Sequence, residues 1–98
     1  VATVLLAARE AGAFARGAVN VRYAPETVEA LGESHPTVEF DAERSTREAV
    51  VDAVDGADLS GDADALVLYQ TGAVGVEPIA YVLAPTAADA ARVVRGLV

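Results

Sequence analysis

The chain has 98 residues, 53% of them apolar, which fits one domain with a core built mainly from Ala and Val. It has 15 acidic and 7 basic residues, a formal charge of −8, and every basic residue is Arg. This acidity argues against direct nucleic-acid binding and is typical of proteins kept soluble in a halophilic cytoplasm. The absence of Cys excludes disulfides, thiolate metal sites and cysteine nucleophiles. No apolar run approaches the ~20 residues of a membrane span, so we predict a cytoplasmic protein without membrane contact.

The first stretch of the chain predicts a helix and then a strand. Apolar residues at positions 1, 4, 5 and 8 lie on one helical face from the first residue onward. Because no capping residue precedes them, we expect the true start of this helix to lie upstream and the chain to be a fragment or a processed product. Phe14 is expected to fill part of the core. Residues 19–23 then alternate in polarity, which predicts a strand.

Three further elements follow before the middle of the chain. Pro25 suits the first position of a helix that Gly32 can end. Residues 37–41 predict a second strand. Ser45, with Glu48 three residues later, predicts a capping box at the start of the next helix.

The second half predicts two strands and a final helix. Residues 55–64 form an Asp- and Gly-rich connector, which lacks the ligand spacing of a calcium loop and is better explained as a solvated loop. The apolar run 66–69 suits a central strand covered on both faces. A glycine-bearing turn leads to a second strand at 79–83, and Thr86 is expected to cap the last helix.

The predicted element order is α-β-α-β-α-β-β-α. Strands separated by helices favour parallel pairing with helices on both faces of the sheet. The last strand follows its neighbour after a short turn, so it is expected to be antiparallel. We therefore predict a three-layer α/β/α domain with a mostly parallel sheet and one antiparallel strand.

Residues that could carry chemistry are few. His35 is the only histidine, and its position before a proline is more typical of a loop residue than of a catalyst. Asn20 and Arg22 share one face of the first strand, and the Arg fork suits phosphate or carboxylate. An edge strand with a solvated face explains the same pattern equally well. If the strand is internal, Arg22 must be paired, and Glu77 is a candidate partner.

The turn after the central strand contains two glycines, Gly72 and Gly75. Their spacing fits neither the dinucleotide-binding nor the Walker pattern, so the turn predicts no nucleotide site. It could form a nest of backbone N–H groups around an anion, or simply connect two strands.

Several segments together, in order, carry a family resemblance. Residues 18–23 (AVNVRY) are similar to A-x-N-[IF]-[RK]-[YF], and residues 37–41 (TVEFD) to a strand containing VxFD. Residues 66–78 are similar to D-x-[IV]-Y-x-x-G-x-x-G-K-E-P, matched at Tyr69, Gly72, Gly75, Glu77 and Pro78. This ordered set resembles the ThiN-type thiamine-phosphate synthase domain, which implies a fold like that of class II aldolases.

The resemblance implies an enzyme that joins hydroxymethylpyrimidine diphosphate and thiazole phosphate, giving thiamine phosphate and pyrophosphate. Relatives fused to a helix-turn-helix segment imply an alternative, a non-catalytic sensor of thiamine phosphate in a transcriptional regulator. A third possibility is an α/β remnant that binds nothing. In the first two cases Asn20 and Arg22 would orient a phosphate, and the turn bearing Gly72, Gly75, Glu77 and Pro78 would line the pocket.

The chain departs from the family pattern at identifiable places. Val76 stands where the family has lysine, and Gln70 occupies a position at which members vary. The catalytic Arg and His of the synthases lie upstream of the first helix and have no counterpart here. We therefore expect residues 1–98 to be the C-terminal part of such a domain, with a small phosphorylated ligand and no metal or cofactor. An exposed sheet edge would favour pairing with a second copy.

Overall fold

A computed structural model describes residues 2–56 and 65–96, which form four helices and four strands. The helices are α1 (Ala2–Glu10), α2 (Pro25–Gly32), α3 (Thr46–Gly56) and α4 (Ala87–Arg95). The strands are β1 (Gly17–Arg22), β2 (Thr37–Glu39), β3 (Leu66–Gln70) and β4 (Ile79–Ala84). The predicted element order is confirmed. Most of the predicted polar connector, residues 57–64, and the last two residues lie outside the described residues.

The strands form one mixed sheet in the order β1-β4-β3-β2. The pair β2 and β3 is parallel, whereas β4 is antiparallel to both β3 and β1. It follows that β1, β2 and β3 run in one direction and β4 alone runs against them, which confirms the predicted single antiparallel strand. Their three carboxyl ends and the start of β4 therefore lie at the same end of the sheet.

Helices cover both faces of this sheet, as the predicted three-layer architecture requires. On one face, α1 and α3 pack against alternate residues of β3 and β4 around a core that includes Val4, Val50, Leu66, Leu68 and Leu83. On the opposite face, α2 and α4 contribute to a second cluster that contains Leu31, Ala65, Val67, Val82, Ala84 and Ala90. Because β3 supplies both clusters, its continuous apolar run marks a strand buried on both sides, as predicted.

The predicted helix starts are confirmed at atomic detail. The Ser45 hydroxyl accepts a hydrogen bond from the Glu48 N–H at 3.4 Å, at the start of α3. The Thr86 hydroxyl accepts from the Asp89 N–H at 3.0 Å, at the start of α4. Each bond satisfies a backbone donor that the helix itself cannot pair. In α2, Pro25 lies in the first turn, where a backbone N–H would have no partner within the helix, so its absence removes no hydrogen bond.

The prediction that Phe14 fills the core is wrong. Its side chain is 45% exposed, whereas its neighbour Ala15 is fully buried and Ala13 packs against the core on the α1 and α3 side. The small residues on either side of Phe14 therefore make the inward contacts. Hydrophobicity alone did not reveal this, because an irregular segment has no periodicity that relates one side chain to the next.

Among residues 2–56 and 65–96, three exposed ion pairs join side chains in the helices or next to them. Arg47 of α3 pairs with Glu10 of α1, which links the two helices across one face. Arg44 pairs with Asp52 at 2.7 Å, and Arg92 with Asp89 at 2.9 Å. Exposed pairs of this kind contribute little to stability, so they offset only part of the repulsion within a chain of net charge −8.

Raising KCl from millimolar to molar concentration is expected to raise the melting temperature. Salt screens the repulsion among the excess carboxylates more than it weakens the few exposed ion pairs. A gain of about 1 kcal/mol in the free energy of unfolding corresponds to a rise of about 4–8 °C for a domain of this size. Thermal unfolding followed by circular dichroism would measure it, and a melting temperature that falls with added KCl would contradict this account.

Candidate functional site

The polar residues predicted to bind a ligand lie at the carboxyl end of the sheet. The strands β1, β2 and β3 all end there, and residues 71–78 join β3 to β4 at the same end. In open α/β sheets, ligands usually bind just beyond the carboxyl ends of parallel strands. This end of the domain is therefore where a site is expected from topology alone.

Strand β1 is at the edge of the sheet, and it presents two polar side chains to solvent. Ala18 packs against the core on the α1 and α3 side and Val19 against the opposite one, so alternation places Asn20 and Arg22 on the face of Ala18. Both side chains are exposed, because they lie past the area that the helices cover. The edge position removes the need for a buried partner of Arg22.

Arg22 and Glu77 line the same cleft. This cleft, called here the Arg22 cleft, has a volume of about 620 Å³ and is lined by Asn20, Val21, Arg22, Tyr23, Glu77, Pro78 and Ile79. The structure thus brings together four of the six residues predicted for the site, namely Asn20, Arg22, Glu77 and Pro78. No ion pair joins Arg22 to Glu77 within the described part of the chain, so the predicted pairing is not seen.

The other two predicted residues, Gly72 and Gly75, shape the turn rather than line this cleft. The N–H groups of Ala73 and Val76 donate to each other's carbonyls at 3.1 and 2.9 Å, and they enclose Val74 and Gly75 in a tight turn. Gly75 has φ +78°, as the third position of a type II turn requires. The predicted strand connection is confirmed, whereas the N–H groups of Ala73 and Val76 are already paired and cannot form an anion nest.

Both the backbone conformation and the neighbouring atoms favour glycine at position 72. Its φ is +93°, and a Cβ added there would lie 3.2 Å from the Pro78 ring. Gly72 lines a second cavity of about 350 Å³ beside Glu39, Asp41 and other residues that follow β2. No group of three potential metal-ligating side chains occurs among residues 2–56 and 65–96.

Gln70 is the residue of this region that the sequence analysis missed. It is the buried polar side chain of the described core, at 4% exposure. Its Nε2 donates to the Glu77 carbonyl at 2.6 Å, and its Oε1 accepts from the Gly72 N–H at 2.6 Å. One amide thus bridges both ends of the turn and holds Glu77 and Pro78 beside β1. The sequence feature that could have indicated this role is the position of Gln70, a polar residue that ends the apolar strand β3 two residues before Gly72.

Two tyrosines stack at the same end of the sheet. The ring centroids of Tyr23 and Tyr69 are 6.0 Å apart with 14° between the planes. Burial raises the pKa of Tyr69, and the Glu39 carboxylate and Tyr23 add to that shift. The Tyr69 phenol is therefore neutral at physiological pH. The stacked rings lie on the α2 and α4 side of the sheet, opposite to the side from which Asn20 and Arg22 project.

His35 lies away from this site. It follows α2 and precedes β2, at the opposite end of the sheet, in a cavity of about 460 Å³ that includes Pro85, Asp89 and Arg92. Its Nδ1 is buried and has no hydrogen-bond partner within the described residues. The structure therefore does not bring the one histidine into contact with Asn20 or Arg22, in keeping with the loop position predicted for it.

No helix described by the structure combines the length and the apolar character needed to cross a membrane.

The family model described as "Thiamine-phosphate synthase ThiN" matches residues 1–96 of the chain. No curated protein sequence matches it.

Two solved structures share the fold. The C-terminal domain of phosphomethylpyrimidine kinase aligns with a TM-score of 0.81 at 18% identity, and the C-terminal domain of protein MJ0236 with 0.71 at 19%. Each alignment covers 99% of this chain and 59% of the other. The chain thus spans about three fifths of the length of the structures that it matches, and identity at this level supports the fold alone.

Replacing Gln70 with Leu is expected to destabilise the domain by about 1–3 kcal/mol for each buried group left without a partner. The change replaces the amide with an apolar side chain of similar size and removes both hydrogen bonds that hold the turn. Denaturant unfolding would measure the loss. Thr71→Ala, at the exposed neighbouring position, is the matched control and should cost less than about 0.5 kcal/mol. Equal stability of Gln70→Leu and the parent chain would show that the bridge is dispensable.

Proposed function

Because the chain belongs to the thiamine-phosphate synthase ThiN family, we propose that it supplies a phosphate-binding surface to a domain that makes thiamine phosphate. In this reaction a bond forms between the pyrimidine methylene carbon and the thiazole nitrogen, and pyrophosphate leaves with the bonding electrons. The chain would act as the C-terminal part of that domain, binding and orienting a phosphorylated substrate or product. We assign no catalytic residue within it.

The observation that carries this proposal is the exposed guanidinium of Arg22 in a cleft of ligand size. Pockets for small molecules usually measure about 300–1,000 Å³, and the Arg22 cleft falls within that range at about 620 Å³. The chain has 15 acidic residues and only 7 basic ones, so most of its surface repels an anion. The Arg22 cleft instead places a positive charge beside the Asn20 amide. Arg binds phosphate through two parallel N–H groups, and the Asn20 amide can donate a further hydrogen bond.

The turn beside β1 gives this surface a rigid second wall. The Gln70 amide holds Gly72 and Glu77 at fixed positions, and the glycine conformations allow the chain to reverse within a few residues. Pro78 further restricts the backbone next to the cleft. A site held in this way loses little conformational entropy when a ligand binds, which favours affinity.

A second candidate function is a sensor that binds thiamine phosphate without turning it over. It is favoured by Val76, a 40% exposed apolar residue at the position where the family has lysine. An apolar side chain cannot stabilise the negative charge that develops on a departing pyrophosphate, whereas a lysine could. Binding of the finished product needs no such cation.

Calorimetric titration of thiamine phosphate into the chain in molar KCl tests the binding proposal. Arg22→Ala is expected to weaken binding about tenfold or more, since hydrogen bonds to charged groups contribute about 1.5–3 kcal/mol. Arg16→Ala is the matched control, because Arg16 is exposed just before the opposite end of the same strand. Affinity equal in Arg22→Ala and parent chains would contradict the role of Arg22. The absence of any binding by the folded chain would contradict the proposal for this chain as a whole.

A companion measurement separates the two functions. Because no catalytic residue is assigned within this chain, the whole domain of which we propose it to be the C-terminal part is incubated with hydroxymethylpyrimidine diphosphate and thiazole phosphate. The release of thiamine phosphate and pyrophosphate is followed by chromatography. Product formation above the uncatalysed rate supports the synthase. Saturable binding of thiamine phosphate without product formation supports the sensor.

A further inference from the structure

We infer that the free edge of β1 is an interaction surface for a second copy of this chain, which pairs with it in antiparallel orientation around Asn20. The two copies are then related by a two-fold axis, and their sheets join into one. This inference goes beyond the proposed function, because it concerns the macromolecular partner of the chain rather than its ligand.

Strand β1 is the longer of the two edge strands. It has six residues and pairs only with β4, whereas β2, at the other edge, has three residues. Natural proteins block an edge with proline, lysine, a very short strand or a covering element. Strand β1 contains no proline or lysine, and its one charged residue, Arg22, stands at its last position. Its edge is therefore open to pairing with another strand.

Hydrogen bonds on the far side of the sheet establish which backbone groups point to this edge. The Val67 N–H donates to the Pro36 carbonyl, and the Phe40 N–H donates to the Tyr69 carbonyl, both at 2.9 Å. Residues 67 and 69 of β3 therefore direct their backbone groups toward β2. Because the direction alternates along a strand, the even-numbered residues of β3 direct theirs toward β4.

The strand register carries this alternation across to β1. The even-numbered residues of β3 are in register with odd-numbered residues of β4, so the even-numbered residues of β4 bond to β1. Their partners in β1 are odd-numbered. The residues of β1 whose N–H and C=O groups point to the free edge are therefore Ala18, Asn20 and Arg22. In the described part of the chain, no backbone hydrogen bond joins these groups to another segment.

An antiparallel copy centred on Asn20 uses all of these free groups. Asn20 then lies opposite Asn20 of the second copy, and Ala18 lies opposite Arg22 of the second copy. The members of each such pair direct their backbone groups toward each other, so each pair exchanges two hydrogen bonds. Pairing in this register leaves no free N–H or C=O between residues 18 and 22.

The side chains are self-complementary in the same register. Opposite residues lie on the same face of an antiparallel sheet. On one face the Asn20 amide meets its own copy, and an amide can both donate and accept a hydrogen bond. Each Arg22 lies beside the small Ala18 of the other copy. On the opposite face Val19 and Val21, both half-buried, each gain a branched apolar neighbour.

The charge distribution favours this edge over the rest of the surface. The chain has a net charge of −8, so most approaches of two copies bring carboxylates together. Strand β1 has no acidic residue, and the register keeps each Arg22 away from its own copy. Two copies can therefore meet along β1 without opposing like charges, and added KCl screens the repulsion between their more distant carboxylates.

Charge substitution at Asn20 tests the register, because this is the residue that meets its own copy. Sedimentation equilibrium of the parent chain is expected to show a dimer of ~20 kDa, twice the 10.0 kDa of one chain. Asn20→Asp and Asn20→Arg should each self-associate about fivefold more weakly, because like charges then lie directly opposite. An equimolar mixture of the two variants should restore association at least to the parent level. The measurements use the lowest KCl concentration at which circular dichroism shows every chain folded.

Two further variants serve as control and as an independent test. Thr71→Asp adds the same charge as Asn20→Asp at an exposed position after β3, two strands from the edge, and should change dimerisation by less than about twofold. Asn20→Pro removes an N–H that points to the free edge rather than to β4, so the sheet within one copy keeps its hydrogen bonds. This variant should weaken dimerisation about tenfold or more.

Each contrary result overturns the inference. A folded parent chain that stays monomeric at millimolar concentration shows that the edge does not pair. Dimerisation that is equal in the parent and all Asn20 variants places the contact elsewhere. Stronger association of Asn20→Asp by itself contradicts the register, because the new carboxylate would then face Arg22. A monomeric whole domain, alongside dimerisation of this chain, shows that another part of that domain covers the edge.

Discussion

The reversal of chain direction between β3 and β4 is the constraint on which the rest of the structure depends. Residues 71–78 turn the chain so that β4 lies between β1 and β3 and antiparallel to both. The buried amide of Gln70 pairs with the backbone at both ends of that turn, and Gly72 adopts a conformation that other residues rarely adopt. With β4 in the interior, β1 becomes the edge strand and its polar residues face solvent beside the turn.

The candidate site is a consequence of that topology. Because three strands run in the same direction, their carboxyl ends meet at one end of the sheet, and the turn adds Glu77 and Pro78 at the same place. Rigid elements therefore position the charged groups, and no long loop is needed. Elsewhere on the surface, Arg44, Arg47 and Arg92 form exposed, weak ion pairs with acidic side chains. Arg22 is exposed as they are, but it differs from them because it lines a cleft.

The two faces of β1 have separate roles. Val19 packs against the α2 and α4 side, which ties the edge strand to the core. Asn20 and Arg22 project from the other face, past the area that α1 and α3 cover. Tyr23 follows the last residue of the strand, and its ring stacks on that of Tyr69. One short strand thus packs against the core with one set of side chains and exposes polar groups with the other, since alternate side chains point to opposite faces.

Local patterns in the sequence determined the element order, the helix caps at Ser45 and Thr86, the alternation of β1 and the double burial of β3. These features depend on residues a few positions apart, and periodicity and capping chemistry report them directly. Only the tertiary structure decided which strand lies at the edge, that Gln70 bridges the turn and that Phe14 is exposed. It also separated Gly72 and Gly75 from the Arg22 cleft. Such outcomes depend on which distant segments pack together, and no short-range pattern encodes those contacts.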